Sequence, residues 1–177
     1  MSTLSAAAGS GVLHTVGGQT LEVRPLNLKD YGTLELCALK DWKKKRIESY
    51  AQILDYLPAE ERKPLLLKAA EENAKLDESD LPTKTQMFDG DGNVTLDEAE
   101  CVKKRKIPYV QWWSAMTHEG RISSVWLSLR KAQPQLTLED VEQLVGDEPH
   151  ALVELANAVG EVSQSSLGPP GNPPAAT

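Results

Sequence analysis

Hydrophobic and polar positions follow two rhythms along this chain. Between Val12 and Arg24 they alternate. Val12-Leu13-His14-Thr15-Val16 and Gln19-Thr20-Leu21-Glu22-Val23-Arg24 are two β-competent runs on either side of Gly17-Gly18. Glycine takes the positive φ of a tight turn at little steric cost, so the pattern predicts a β-hairpin. Alternation sets Leu21 and Val23 on one face and Glu22 and Arg24 on the other, and Pro25 ends the ladder. A lone hairpin is marginal in water; this one must pack on a helix or pair with another chain.

From Asn27 the period lengthens to three and four residues. Asn27 is a predicted N-cap, with Asp30 placed where an acid suits the positive helix end. Leu28, Tyr31, Leu34 (or Glu35), Ala38 and Trp42, then Ile47, Tyr50, Ile53, Leu54 and Leu57, continue the helical stripe. The basic cluster at 40–46, KDWKKKR, reads either as a solvated helix face or as a contact for an anion or partner. Pro58 suits the start of a second helix with Glu60 and Glu61 in its first turn. Pro64 leaves open whether PAEER is a separate turn before the Ala-, Leu-, Glu- and Lys-rich run that follows.

Residues 77–94 are acidic and punctuated by Pro and Gly, which predicts a loop or an inter-subdomain connection. Thr95 and Glu98 match a capping box, predicting a short helix through about Lys106, and Pro108 opens the next one. Thr137 and Asp140 repeat the capping pattern. Asp147 is placed to cap a last helix striped by Ala151, Leu152, Leu155, Ala156 and Val159. The expectation is a mainly α fold with a small N-terminal β-hairpin (α+β). It forms one compact helical domain over 11–162, between a flexible N-terminus, 1–10, and a Pro/Gly-rich flexible tail, 163–177.

The stretch PYVQWWSAMTHEGRISSVWLSLRKAQP, 108–134, holds three of the four tryptophans. On an ideal helix Tyr109, Trp112, Trp113 and Met116 share one face, whereas Ile122, Val125, Trp126 and Leu129 share another about 140° away. Either the helix breaks near Thr117–Gly120, with Thr117 capping the second part, or it is central and contacted all round. Trp at helical spacing is commonly core, yet Trp is also the residue most enriched at binding hot spots. Trp112, Trp113, Met116, Trp126 and Leu129 are therefore the candidate partner-binding residues.

Charge narrows the function. Nineteen basic against 26 acidic residues leave a net charge of −7, which disfavours a dedicated nucleic-acid binder and a polybasic membrane attachment. Cys37 and Cys101 are too few for a disulfide framework and read as thiols in a reducing compartment. The N-terminal MSTLSAAAGSGVLH has neither a basic n-region nor an apolar h-region, and no window has the ~18–20 uncharged apolar residues of a spanning helix. A soluble cytoplasmic protein is expected, with no nucleic-acid or membrane partner.

Candidate chemistry is sparse. Asp89, Asp91, Asn93, Thr95, Asp97 and Glu100 fall at EF-hand spacing, but the sixth position is Val94, where the sharp turn wants glycine. Shifting the frame by two brings Gly92 there and leaves Met87 without a ligand oxygen at the first position. The plainer reading is a Gly-Asp turn, and no metal or other cofactor is assigned. His14, His118 and His150 lack ligand spacing, and neither a nucleophile elbow nor a phosphate loop occurs. No catalytic residue is assigned, and no enzymatic activity is expected.

Two stretches, GGQTLEVRPLNLKDYGTLE near the start and WWSAMTHEGRISSVWLSLRKAQPQLTLEDVEQLVGD toward the end, together resemble tail assembly chaperones of long-tailed (siphovirus-type) bacteriophages. In that family an EVRPL-x-L strand opens a mainly helical domain, and a later helix carries a WLSLRK-x-x-P-x-(L/M)-T-x-E-(D/E)-V stretch, here Trp126 to Val141. The likeness covers about a third of the chain and leaves 58–106 uncovered. It implies a non-enzymatic chaperone that coats the tape measure protein before tail tube subunits polymerise around it. Such a chaperone acts in the infected host cytoplasm and is absent from the mature virion. It also raises self-association and a longer frameshifted form as expectations. The alternatives are a minor structural or connector protein of the virion, or a calcium-responsive binding module.

Overall fold

The computed structural model describes residues 11–16, 18–146 and 149–166. Among them the chain forms β1 (Val12–Val16), β2 (Gln19–Val23), α1 (Leu28–Ile53), α2 (Ala59–Ala74) and β3 (Thr83–Phe88). There follow β4 (Val94–Thr95), β5 (Lys103–Pro108), α3 (Tyr109–Met116), α4 (His118–Leu129), α5 (Leu138–Gly146) and α6 (Pro149–Ser166). The fold is mainly α with the small antiparallel hairpin at its N-terminal end. No helix among the described residues is long and apolar enough to cross a membrane. The chain divides into two compact units: the first joins both ends, 1–32 and 115–177, and the second is the stretch between, 33–114.

The first unit is built on the hairpin. β1 pairs with β2 in register Val16↔Gln19 through Val12↔Val23, and Gly18 in the turn has φ +77°. Leu21 and Val23 are buried, as alternation requires, and the hairpin packs on α4 and α6. α4 is the central element. Ile122, Val125, Leu127 and Leu129 are buried, and so are Ser123, Ser124 and Ser128. The serines are accommodated because each hydroxyl has an acceptor. Ser123 Oγ donates to the Glu119 carbonyl, Ser124 Oγ to the Gly120 carbonyl and Ser128 Oγ to the Arg24 carbonyl. Leu152, Leu155 and Val159 of α6 and Val141 and Val145 of α5 complete this core.

Helix boundaries follow their caps. The Asn27 N–H donates to Asp30 Oδ2 at 2.8 Å and the Asp30 N–H to Asn27 Oδ1 at 3.1 Å, a reciprocal pair at the start of α1. Thr137 and Asp140 form the same pair for α5. At the start of α4, Thr117 Oγ1 accepts from the Gly120 N–H. The helix thus breaks at Thr117, and α4 is also contacted on nearly every side. The predicted cap at Asp147 lies outside the described residues. α6 runs to Ser166, four residues into the stretch expected to be tail, and Ser163 within it is buried.

In the second unit α1 continues through the basic cluster to Ile53, as the helical stripe predicts, and α2 runs unbroken from Ala59 past Pro64. The helix expected from Thr95 to Lys106 does not form. Instead β3, β4 and β5 make an antiparallel sheet in the order β4-β3-β5, with Thr83 opposite Pro108 and Phe88 opposite Lys103. Thr95 Oγ1 does accept from a backbone N–H, but from Asp97, closing a turn rather than starting a helix. Lys103, Lys104, Arg105 and Lys106 line the edge strand β5 and are exposed. That edge charge disfavours pairing with another chain.

Candidate functional site

The five candidate partner residues divide between the units and between roles. Trp113 and Leu129 are each 1% exposed and belong to the core, which removes both from any partner surface. The Trp113 indole N–H donates to Asp41 Oδ2 at 2.8 Å, and Lys45 pairs with the same carboxylate at 2.9 Å. This buried donor therefore has a charged acceptor. Leu129 lies on α4, against which α5, α6 and β2 pack. Trp126 is half-buried: its indole N–H donates to the Leu136 carbonyl at 2.9 Å, and the Arg130 guanidinium stacks on its ring at 4.5 Å. Trp112 and Met116 are also half-buried.

Arg24-Pro25-Leu26, the exit from β2, is held from the far end of the sequence. Arg24 N donates to Ser128 Oγ at 2.8 Å, and Leu26 N donates to Ser163 Oγ at 3.0 Å. Lys131 Nζ donates to the Pro25 carbonyl and pairs with Asp30. One short irregular segment thus has its backbone groups satisfied by Ser128, Lys131 and Ser163. The EVRPL and WLSLRK stretches, far apart in the sequence, meet in this clasp, and Ser163 of α6 completes it.

Trp112 leads to a sizeable recess in the second unit. It is a half-open groove of about 720 Å³ between α1 and α2, closed at one side by Lys84, Tyr109 and Trp112. At one end the helices are tied: Asn73 Nδ2 donates to the Lys43 carbonyl and Arg46 Nε donates to Asn73 Oδ1, at 2.9 and 3.3 Å. Beyond the end of α1, Asp55 in the connector accepts from Arg62 of α2 at 2.7 Å. Away from that tie Ile47, Tyr50, Ile53, Leu65 and Ala69 line the groove. Ile53 remains 59% exposed and Leu65 38%. Cations sit on the aromatic rings: Arg46 on Trp42 at 5.0 Å, and Lys84 on Trp112 at 4.8 Å and on Tyr109 at 5.8 Å.

Trp112 is legible from its crowding with other tryptophans, and the 40–46 cluster supplies Lys45 and Arg46. Sequence reasoning missed Leu65, Lys68 and Lys84, because the groove joins four segments distant in sequence. The apolar run Leu65-Leu66-Leu67, too long for a single buried stripe, is the signal that could have pointed to them.

The acidic segment is a turn between β3 and β4, not a helix-loop-helix. Asp89 Oδ1 accepts from the backbone N–H groups of Asp91 and Asn93, and Gly92 has φ +86°. The Asn93 amide holds the Asp89 carboxyl below the usual carboxylate range, with further help from Asp91 and Gly92. Among the described residues no group of three or more His, Cys, Asp and Glu converges as a metal site. Cys37 and Cys101 are free thiols, and burial pushes the Cys37 thiol up, against reactivity.

No protein-family model, curated protein or solved structure matches this chain.

Proposed function

We propose that this protein is a non-enzymatic assembly chaperone of a long-tailed bacteriophage, binding the tape measure protein in the infected cell while tail tube subunits assemble. The observation that carries the reading is the clasp at Arg24–Leu26. The two stretches that resemble the chaperone family are about a hundred residues apart, yet Ser128 and Lys131 of one bind the backbone of the other. A likeness split between unrelated surfaces would be weaker support than one concentrated in a single folded unit. The open groove of the second unit, with its apolar lining, gives such a protein a place to cover a client's apolar side chains. A net charge of −7 favours solubility of the loaded complex.

The test is compositional. Mass spectrometry of infected-cell lysate should find the chain in complex with a very long helical protein, encoded directly downstream. The same measurement on purified mature particles should not detect it. Stoichiometric presence in mature particles overturns the chaperone reading in favour of a structural component.

A further inference from the structure

We infer that the groove between α1 and α2 is a docking site for an amphipathic helix whose apolar stripe is flanked by carboxylates. The assignment of that helix to a tail-assembly client rests on the reading above; the charge rule does not.

Shape argues for a helix. The groove's lining recurs at three- and four-residue spacing along both walls, from Trp42 to Ile53 on α1 and from Leu65 to Asn73 on α2. The twelve residues from Trp42 to Ile53 span about 16.5 Å along α1, roughly three turns of a helix laid alongside. Packed helix pairs interdigitate with few voids larger than a water molecule, whereas these two are tied at Asn73 and open toward the connector between them. A third helix inserting apolar side chains between Ile47, Ile53 and Leu65 supplies the missing layer.

Charge selects its chemistry. Lys45 is paired with Asp41, and Arg46, Lys68 and Lys84 line the groove against a single lining acid, Glu72. This is a local excess of positive charge on a chain with net charge −7. Carboxylates along both edges of an incoming stripe meet these cations, and a lysine-flanked stripe is repelled. The chain's own ends are poor occupants, because MSTLSAAAGS and LGPPGNPPAAT contain no Asp or Glu.

The probe is a fluorescein-labelled 18-residue helix with Leu at i, i+3, i+4 and i+7 and Glu at the flanking positions. Its control has Lys in place of every Glu. Anisotropy with the full chain should show the Glu helix binding at least tenfold more tightly than the Lys helix, with affinity falling as salt rises. Its arrival should change the emission of Trp42 and Trp112, whose rings carry the groove's cations. The double variant Lys68→Glu, Lys84→Glu, verified as folded by circular dichroism, should reverse the preference.

Equal affinity for the two helices, no binding of either, or an unchanged preference in the folded double variant overturns the inference. A chain ending at Ser166 should bind as the full chain does; tighter binding would make the Pro-rich tail the occupant instead. Concentration-dependent dimers abolished by Leu65→Glu would make it a second copy. Each of these results leaves the particle-composition test untouched, and a chain found in mature particles leaves the charge rule standing.

Discussion

Ser128 and Lys131 show how single side chains determine whether a fold closes. Ser128 Oγ accepts from Arg24 N and donates to the Arg24 carbonyl, so it satisfies both backbone groups of one residue. Ser128→Ala removes both partners at a position that is itself fully buried; a loss of about 2 kcal/mol in denaturant unfolding is expected. Lys131→Met deprives the buried Asp30 carboxylate of its cation. With Lys131 side-chain exposure of 21%, the expected cost is about 2 kcal/mol, below that of a fully buried pair. The double variant Asp30→Asn, Lys131→Met should recover part of it, which a double-mutant cycle measures. Asp89 has a different signature. Its folded carboxyl sits below the ordinary value, because the ionised form accepts from Asn93 and Asp91. The turn's added stability is therefore present above the ordinary Asp value of about 3.9 and is lost as pH falls through the depressed one. The Asp91 and Asn93 amide resonances should titrate together below that ordinary value, and Asp89→Ala should abolish the titration.

Elements differ in how plainly the chain writes them. The hairpin is legible because Leu21 and Val23 need one face and Gly17-Gly18 allows the reversal. The helix starts at Asn27, Thr117 and Thr137 are legible because capping is a local exchange between residues three apart. The β3-β4-β5 sheet is not. Lys103-Lys104-Arg105-Lys106 has no apolar alternation, since this edge strand buries little beyond Ile107, and Thr95-x-x-Glu98 mimics a helix start. What holds β5 is non-local: its ladder to β3 and the Arg105 guanidinium over the Phe88 ring at 5.5 Å. The candidate site divides in the same way, with Trp112 visible in a local cluster and Lys68 and Lys84 brought to it only by the packing of separate elements. Pro64 misleads in the opposite sense, because α2 tolerates it near its start and goes on to Ala74. That tolerance has a cost, since proline removes the bond to the Glu60 carbonyl and crowds the preceding turn. Pro64→Ala should stabilise the chain by about 1–3 kcal/mol, read as a higher denaturation midpoint with an unchanged denaturant slope.

At the scale of the whole molecule the two units are unequally consolidated, and the groove lies in the weaker one. Of the 22 buried apolar residues among those described, 15 are in the unit formed by the chain ends and seven in the stretch from Thr33 to Ser114. Opening free energies follow buried apolar contact, so the amides of α4 and α6 should exchange with solvent only through global unfolding. Those of α2 and of β3-β4-β5, whose side chains are mostly half-buried or exposed, should exchange through smaller openings. Hydrogen exchange read by mass spectrometry resolves the two classes at peptide level. An occupant of the groove adds a layer to α1 and α2, so a saturating acidic amphipathic helix should slow exchange in peptides from 42–53 and 65–73 while leaving α4 and α6 unchanged. Uniform slowing over all peptides would instead mean that the helix stabilises the chain as a single cooperative body. Weak consolidation around the groove suits the proposed chaperone, since contacts that are modest until a client fills them can also be surrendered when the client is taken up into an assembly.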